Sequence, residues 1–127
     1  MLQHDAASEW IGMRLIADEP GRAVLELTVR PEHLNGHGIT HGGIVFALAD
    51  TAFAVACNED EHVTVAAGAD VTFLRPTTAG DTLTATAVRR TLSGRTGLYD
   101  VTVTDAAGEP VAEFRGRSFR TARTLDG

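Results

Sequence analysis

The chain has 127 residues, of which 43% are hydrophobic and 22% charged, and its formal net charge at pH 7 is −6. This length and composition predict one globular domain over residues 1–127. The negative charge argues against nucleic acid as a partner, because there is no surplus of basic residues to neutralise phosphates. The N-terminus has no basic start followed by an apolar run, which predicts a cytoplasmic protein with no membrane partner.

The first elements predicted along the chain are a short helix and a strand. Residues 1–15 place Trp10 and Ile11 among polar residues, a pattern that indicates a helical segment packed against the main body. Residues 23–30 alternate between apolar and polar side chains, which is typical of a half-buried strand. Pro31 ends this strand and leads into a glycine-rich loop.

The segment Ile44–Cys57 is predicted to be the central helix. It contains neither Gly nor Pro, and apolar residues occupy nearly every position, so we expect the helix to be buried on all sides. With 14 residues and Asp50 at its middle, the segment is too short and too polar to span a membrane. The rest of the protein should therefore wrap around this helix.

The second half of the chain predicts four more strands. Alternating apolar residues separated by turn signals place them at 63–74, 82–91, 98–104 and 110–120. Residues 121–127 are expected to form a loose tail. One strand, one helix and four further strands predict an α+β fold in which an antiparallel sheet wraps around a single long helix.

The start of the central helix and the acid within it suggest a site for acyl transfer. Gly42 and Gly43 lie where the helix begins, so their N–H groups lack intrahelical acceptors and suit an oxygen that gains negative charge. A buried Asp50 carboxylate would be a second functional group. The alternative is a structural Asp50 bonded to a neighbouring backbone group or to an Arg.

The spacing of these two groups predicts an assembly. Gly42 and Asp50 are eight residues apart, which corresponds to about 12 Å along a helix. Reacting groups must come within about 3 Å of their partners. Two antiparallel copies could place Gly42 of one chain opposite Asp50 of the other, so we expect a homodimer with shared active sites.

Four short motifs carry a family resemblance. They are Asn35-x-His37-Gly38-x-x-His41-Gly42-Gly43, Phe46-x-Leu48-Ala49-Asp50, Phe73-Leu74-Arg75-Pro76 and Gly80-Asp81-Thr82-Leu83. With them the chain resembles the PaaI-type acyl-CoA thioesterases of phenylacetate degradation, from about Trp10 to Arg120. The resemblance implies the hotdog fold and hydrolysis of acyl-CoA thioesters.

The resemblance also implies roles for particular residues. Asp50 of the facing subunit would be the nucleophile or general base, and the Gly42 N–H would polarise the thioester carbonyl. Asn35 and His41 would shape the loop and position the carbonyl or a water molecule. Hotdog dimers of this family commonly pair into tetramers, so a dimer of dimers is implied. Residues 65–68 lack the hydroxyl that several relatives carry early in this strand, which leaves open whether Asp50 attacks directly or through water.

The candidate substrate-binding residues fall into two groups, for the acyl group and for coenzyme A. The residues expected to bind the acyl group are Gly43, Phe46, Phe53 and Phe73. Those expected to bind the phosphates of coenzyme A are Arg75, Arg95 and Arg115. The alternatives are core packing for the phenylalanines and ordinary exposed positions for the arginines.

No metal or redox cofactor is expected, because water is the second substrate. His37 and His41 are four residues apart, but the intervening glycine argues against the helix that such a metal pair requires. His33 and His62 have polar neighbours and are predicted to lie on the surface.

The leading hypothesis is a thioesterase for phenylacetyl-CoA, hydroxyphenylacetyl-CoA or related aromatic or medium-chain acyl-CoAs. Two rivals stay open. One is an acyl-CoA-binding hotdog module without turnover, in which the buried acid would have no purpose. The other is a hotdog hydratase, which needs a His and an acid aimed at the substrate's α and β carbons.

Overall fold

A long helix and one antiparallel sheet make up most of the structure, a computed structural model that describes residues 5–58 and 62–124. The elements follow one another as α1 (Ala6–Ile11), β1 (Arg14–Glu19), β2 (Arg22–Thr28), α2 (Gly42–Cys57), β3 (His62–Phe73), β4 (Thr82–Ser93), β5 (Thr96–Thr104) and β6 (Pro110–Thr124). A short 3₁₀ helix, Pro31–His33, precedes the glycine-rich loop. Predictions for residues 1–4 and 125–127 fall outside the described residues.

The six strands form one sheet in the order β1-β2-β4-β5-β6-β3, with every neighbouring pair antiparallel. Alternate residues of each central strand face α2, and these side chains join those of the helix in one core. The members of this core include Leu25, Leu27, Leu48, Phe53, Leu83, Tyr99, Val101, Val103 and Phe114. The predicted α+β architecture, a sheet wrapped around one long helix, is confirmed, and this arrangement is the hotdog fold.

Helix α2 begins two residues earlier than predicted, at Gly42, because the His41 side chain caps it. Most of the helix is buried, as expected. The prediction of burial on all sides is wrong for one stripe, because Gly43 is exposed and Ala47, Asp50 and Ala54 are partly exposed in the single chain. Neither described α-helix is long and apolar enough to cross a bilayer.

The prediction of a helical segment over residues 1–15 is only partly correct. The helix ends at Ile11, because Gly12 takes a left-handed φ of 96° that the other residue types rarely adopt. Strand β1 then begins at Arg14 and pairs with β2. This strand was missed because it lies at the sheet edge and is mostly exposed, so its side chains do not alternate between apolar and polar.

The prediction of a loose tail from Thr121 is wrong for residues 121–124. Strand β6 runs to Thr124, where it pairs with His62 at the start of β3. The Thr121 hydroxyl donates to the Val63 carbonyl over 2.7 Å. Thr and Arg are compatible with a strand, and this hydrogen bond helps to fix the end of β6 to β3.

Replacing Gly116 with Ala should destabilise the fold. A Cβ at this position would lie 2.8 Å from the ring carbons of the fully buried Phe53, so the ring would have to move within a packed core. We expect the free energy of unfolding to fall by about 1–3 kcal/mol. The matched control is Gly36→Ala, whose Cβ would meet nothing within 4 Å. Urea unfolding at equal protein concentration measures both, and equal midpoints for the two variants would contradict the prediction.

Candidate active site

The loop before α2 is closed by the Asn35 side chain. Its Oδ1 accepts from the His37 N–H over 2.9 Å and from the Ile39 N–H over 3.4 Å. The Asn35 N–H donates in turn to the Ile39 carbonyl over 2.8 Å. These bonds fix a compact turn that Gly38 completes with a φ of 77°. Within residues 5–58 and 62–124, the Asn35 Nδ2 has no acceptor, and Asn35 lines the cavity described below.

The beginning of α2 leaves one backbone donor available. The Gly43 N–H donates to His41 Nδ1 over 2.9 Å, so it is not available to a ligand, in contrast to the prediction. The Ile44 and Val45 N–H groups both donate to the His41 carbonyl. Among the described residues, the Gly42 N–H has no acceptor. Gly42 lines the cavity described below, so the positive end of the helix dipole lies at the wall of that cavity.

His33 is buried, with 4% of its surface exposed, so its predicted surface location is wrong. Its Nδ1 accepts the Arg30 N–H over 2.9 Å, and its carbonyl accepts the His41 N–H over 2.8 Å. The Arg30 guanidinium also donates to the carbonyls of Trp10 and Ile11. These contacts join α1 to the start of α2, and the polar neighbours of His33 in the sequence gave no sign of them.

A cavity of about 390 Å³ opens beside Gly42. It is lined by Asn35, Ile39, Thr40, Gly42, Val45, Phe73, Leu74, Arg75, Pro76, Thr77 and Val111. Phe73 is 53% exposed, and its ring lies against Gly42 so closely that a Cβ there would be 3.2 Å from Phe73 Cζ. The structure thus brings Asn35, Gly42, Phe73 and Arg75 together, and glycine at position 42 lets the aromatic ring approach the backbone.

Asp50 lies on the same helix, two turns beyond Gly42, and does not line this cavity. Burial raises the pKa of the Asp50 carboxyl above its usual value of 3.8. No hydrogen-bond donor or cation contacts this carboxylate in the part of the chain that the structure describes. The partner that a structural role requires, a backbone group or an Arg, is therefore not found there.

The other predicted aromatic residues lie away from the cavity. Phe46 is half-buried and contacts Phe114 edge-on, with ring centres 5.4 Å apart. Phe53 is fully buried, with its ring centre 5.5 Å from that of Tyr99 and 5.8 Å from that of Phe114. Within one chain Phe53 is a core residue, which agrees with the alternative of core packing.

The three predicted arginines are separated. Arg75 borders the cavity, with its guanidinium 3.6 Å from the Asp105 carboxylate. Arg95 lines a separate cavity of about 50 Å³ at the C-terminal end of α2. Arg115 donates two hydrogen bonds to Asp100, of 2.7 and 3.0 Å, and this guanidinium lowers the pKa of the Asp100 carboxyl. Arg75 is thus the only one of the three placed beside Gly42 in a single chain.

Metal-binding side chains are not grouped in the described residues. Nowhere in 5–58 and 62–124 do three or more His, Cys, Asp or Glu side chains lie close enough to hold one ion. His37 and His41 both occupy the exposed loop, where His41 Nδ1 already accepts the Gly43 N–H.

The chain is similar to known proteins both in sequence and in structure. Residues 37–112 match the thioesterase superfamily. The acyl-coenzyme A thioesterase PaaI of Escherichia coli is 45% identical over 127 residues, which is 100% of this chain and 91% of the relative. The solved structure of the E. coli PaaI protein, from the phenylacetic acid degradation operon, covers 98% of this chain and 90% of its own, with a TM-score of 0.94. A Streptococcus mutans protein bound to acetyl CoA is 25% identical, with a TM-score of 0.84 over 89% of this chain and 91% of its own.

Proposed function

The chain belongs to the thioesterase superfamily, and from this we propose that it acts as an acyl-CoA thioesterase in phenylacetate degradation. The proposed substrates are phenylacetyl-CoA, hydroxyphenylacetyl-CoA and related aromatic or medium-chain acyl-CoAs. The observation that carries the proposal is the 45% identity, over the whole chain, to the acyl-coenzyme A thioesterase PaaI of E. coli. The S. mutans relative, solved with acetyl CoA, supports a coenzyme A thioester as the ligand.

We propose that the Gly42 N–H binds the thioester oxygen. When a nucleophile attacks the carbonyl carbon, negative charge develops on this oxygen, and an N–H at a helix N-terminus stabilises it. Gly42 lines the cavity, and its N–H has no acceptor in the part of the chain that the structure describes, which supports this role, as does the use of the Gly43 N–H within the cap. His41 would then act by fixing the helix start, and Asn35 by fixing the loop.

We propose that Asp50 supplies the base or nucleophile. As a base, its carboxylate takes a proton from water, the water oxygen bonds to the carbonyl carbon, and the C–S bond breaks to release coenzyme A thiolate, which is then protonated. As a nucleophile, it bonds to the carbonyl carbon and forms a mixed anhydride while the C–S bond breaks and coenzyme A thiolate leaves; water then cleaves the anhydride to the free acid and regenerates the Asp50 carboxylate. Either route requires the ionised form, and the raised pKa of Asp50 makes that form a stronger base. The proposed reaction has two substrates, water and the thioester, and we propose no metal or redox cofactor for it.

We propose that the two groups meet in a homodimer. In one chain Asp50 does not line the cavity that contains Gly42, and about 12 Å of helix separates the two residues. Two surfaces support pairing. The stripe of α2 that contains Asp50 is partly exposed, and β3 is an edge strand whose only strand neighbour among the described residues is β6. An edge strand of this length is a ready template for a second chain.

We also propose a second contact between chains, a residue for a coenzyme A phosphate and a cellular location. Exposed Trp10 and Ile16, near the opposite edge of the sheet from β3, offer apolar surface for a second contact and a homotetramer. Arg75, beside the cavity, is proposed to bind a coenzyme A phosphate. The cytoplasm is the proposed location, and the chain's single cysteine, Cys57, agrees with this reducing compartment because it cannot form a disulfide within the chain.

A substrate panel tests the function. We expect kcat/KM for phenylacetyl-CoA and hydroxyphenylacetyl-CoA to exceed that for acetyl-CoA by at least about tenfold, because aromatic groups bury more apolar area beside Phe73. A thiol reagent measures coenzyme A release, and the buried Cys57 keeps its background low. The Asp50→Asn variant is the matched control.

The two rival functions, a binding module and a hydratase, predict different results with the same substrates. Binding of acyl-CoA without thiol release would indicate a binding module. Hydration of crotonyl-CoA, measured as loss of enoyl absorbance, would indicate a hydratase. A preference for acetyl-CoA would contradict the aromatic acyl group while leaving the thioesterase reaction intact.

A further inference from the structure

Two buried threonines meet beside Gly42. Thr40 and Thr77 are 7% and 8% exposed, and both line the cavity of about 390 Å³. The Thr40 N–H donates to the Thr77 carbonyl over 2.8 Å, and the two hydroxyl oxygens are 2.7 Å apart. Thr40 comes two residues before Gly42, so the pair lies close to the proposed oxyanion donor.

The two hydroxyl groups carry one proton more than their mutual hydrogen bond uses. Two hydroxyls carry two protons, and the contact between them uses one. Among residues 5–58 and 62–124, neither hydroxyl has another hydrogen-bond partner. Buried polar groups in native proteins are nearly always hydrogen-bonded, and an unpaired buried donor is unfavourable. Because both threonines border the cavity, a bound molecule can supply the missing acceptor.

The surroundings indicate the kind of acceptor. The pair is uncharged. Of the other side chains that line the cavity, Val45, Phe73 and Leu74 are apolar, and Arg75 is the cation proposed to bind a phosphate. A neutral donor among apolar side chains suits a neutral oxygen better than a phosphate, which is bound more strongly by cations. An acyl-CoA carries neutral carbonyl oxygens at its thioester and at the two amides of its pantetheine arm.

We propose that the Thr40–Thr77 hydroxyl pair donates a hydrogen bond to a carbonyl oxygen of the bound acyl-CoA. The inference rests on the proposed function, because that function places an acyl-CoA in this cavity. The pair adds a side-chain donor to the backbone donor at Gly42 and fixes the substrate on the wall formed by the end of the glycine-rich loop and the segment that follows β3.

The double variant Thr40→Val/Thr77→Val tests the pair. It removes both hydroxyls and keeps their shape, so no polar group is left unpaired and folding should be close to normal. We expect kcat/KM for phenylacetyl-CoA to fall about three- to tenfold, the effect of one neutral hydrogen bond. Thr40→Ser, which keeps the hydroxyl, is the matched control and should stay within about twofold of the native protein. If the valine pair fails to fold, Thr40→Ala/Thr77→Ala replaces it.

The kinetic pattern identifies the carbonyl. A lower kcat at constant KM assigns the bond to the thioester oxygen, where charge grows in the transition state, whereas a higher KM at constant kcat assigns it to an amide oxygen. Native values of both constants in the folded double variant would overturn the inference, even if its stability to urea had changed.

A binding measurement separates this inference from the proposed function. Calorimetry uses a phenylacetyl-CoA analogue in which a methylene group replaces the thioester sulfur. If the native protein releases no thiol from any acyl-CoA, the proposed function fails. In that case weaker binding of the analogue to the double variant would still support the hydroxyl pair, and equal binding would overturn it.

Discussion

Asp50→Asn is expected to lower kcat for phenylacetyl-CoA by at least about a hundredfold, the usual contribution of a general base. Asn keeps the size of the side chain but can neither accept a proton from water nor attack the carbonyl. KM should change much less, because most of the substrate contacts would lie in the cavity at Gly42 and Phe73. Steady-state thiol release measures both constants. Near-normal turnover would show that Asp50 is structural.

The same substitution should change stability in a pH-dependent way. Burial raises the pKa of the Asp50 carboxyl above 3.8, so the native state binds this proton more tightly than the unfolded chain. The ionised carboxylate therefore destabilises the native state at pH values above its raised pKa. This effect shrinks as the pH falls through the raised pKa, and it is absent below the unfolded value of 3.8.

Asp50→Asn should thus resist urea better than the native protein near neutral pH, and the difference should vanish in acid. Turnover by the native protein should fall on the acid side, as Asp50 gains its proton. Urea midpoints and kcat measured over the same pH range check both effects. A variant less stable than the native protein at neutral pH would indicate that the carboxylate has a stabilising partner.

Most of the fold could be predicted because burial leaves a regular pattern in the sequence. Segment 44–57 is apolar nearly throughout, and the strands that cover it alternate or are rich in β-branched residues, so helix and sheet were both recognisable. Strand β1 could not be recognised, because an exposed edge strand needs no apolar alternation. The end of β6 was missed for a related reason, since its polar residues are held by pairing with β3 rather than by burial.

The site was predictable where chemistry depends on backbone position, and less so where it depends on side-chain packing. The order His41-Gly42-Gly43 before an apolar helix indicated free N–H groups. Only the structure shows that the His41 ring takes the Gly43 donor. Likewise, Phe53 and Phe73 are both apolar aromatic residues in the sequence, but one lies in the core and the other on the cavity wall. Such differences depend on contacts between distant segments.

A variant without the Gly42 donor can be made with little distortion of the backbone. Gly42→Pro removes the N–H at the first position of a helix, where proline is readily accepted. His41 has φ −60° and ψ 132°, an extended conformation that suits a residue before proline. Loss of one oxyanion donor should lower kcat by about 10²- to 10³-fold. Gly42→Ala is the control, because it places a similar Cβ against Phe73 and keeps the N–H.

Mixing the two inactive variants should restore activity if the sites are shared. In a dimer of one Asp50→Asn chain and one Gly42→Pro chain, one site receives the native Gly42 from the first chain and the native Asp50 from the second. The other site lacks both groups. Random pairing of equal amounts makes about half of the dimers mixed, each with one intact site of two, so activity should reach about a quarter of the native value.

If each site were formed within one chain, mixing the two variants would restore no activity. If Gly42 and Asp50 of the same chain formed one site, every site in the mixture would lack one of the two groups. Co-expression with two different affinity tags, followed by purification on both in turn, isolates the mixed dimer and confirms that exchange has occurred. About half of the native turnover is then expected for that species. Activity no higher than that of the separate variants would exclude shared sites, and the helix itself would then have to bend to bring the Asp50 carboxylate to the Gly42 N–H.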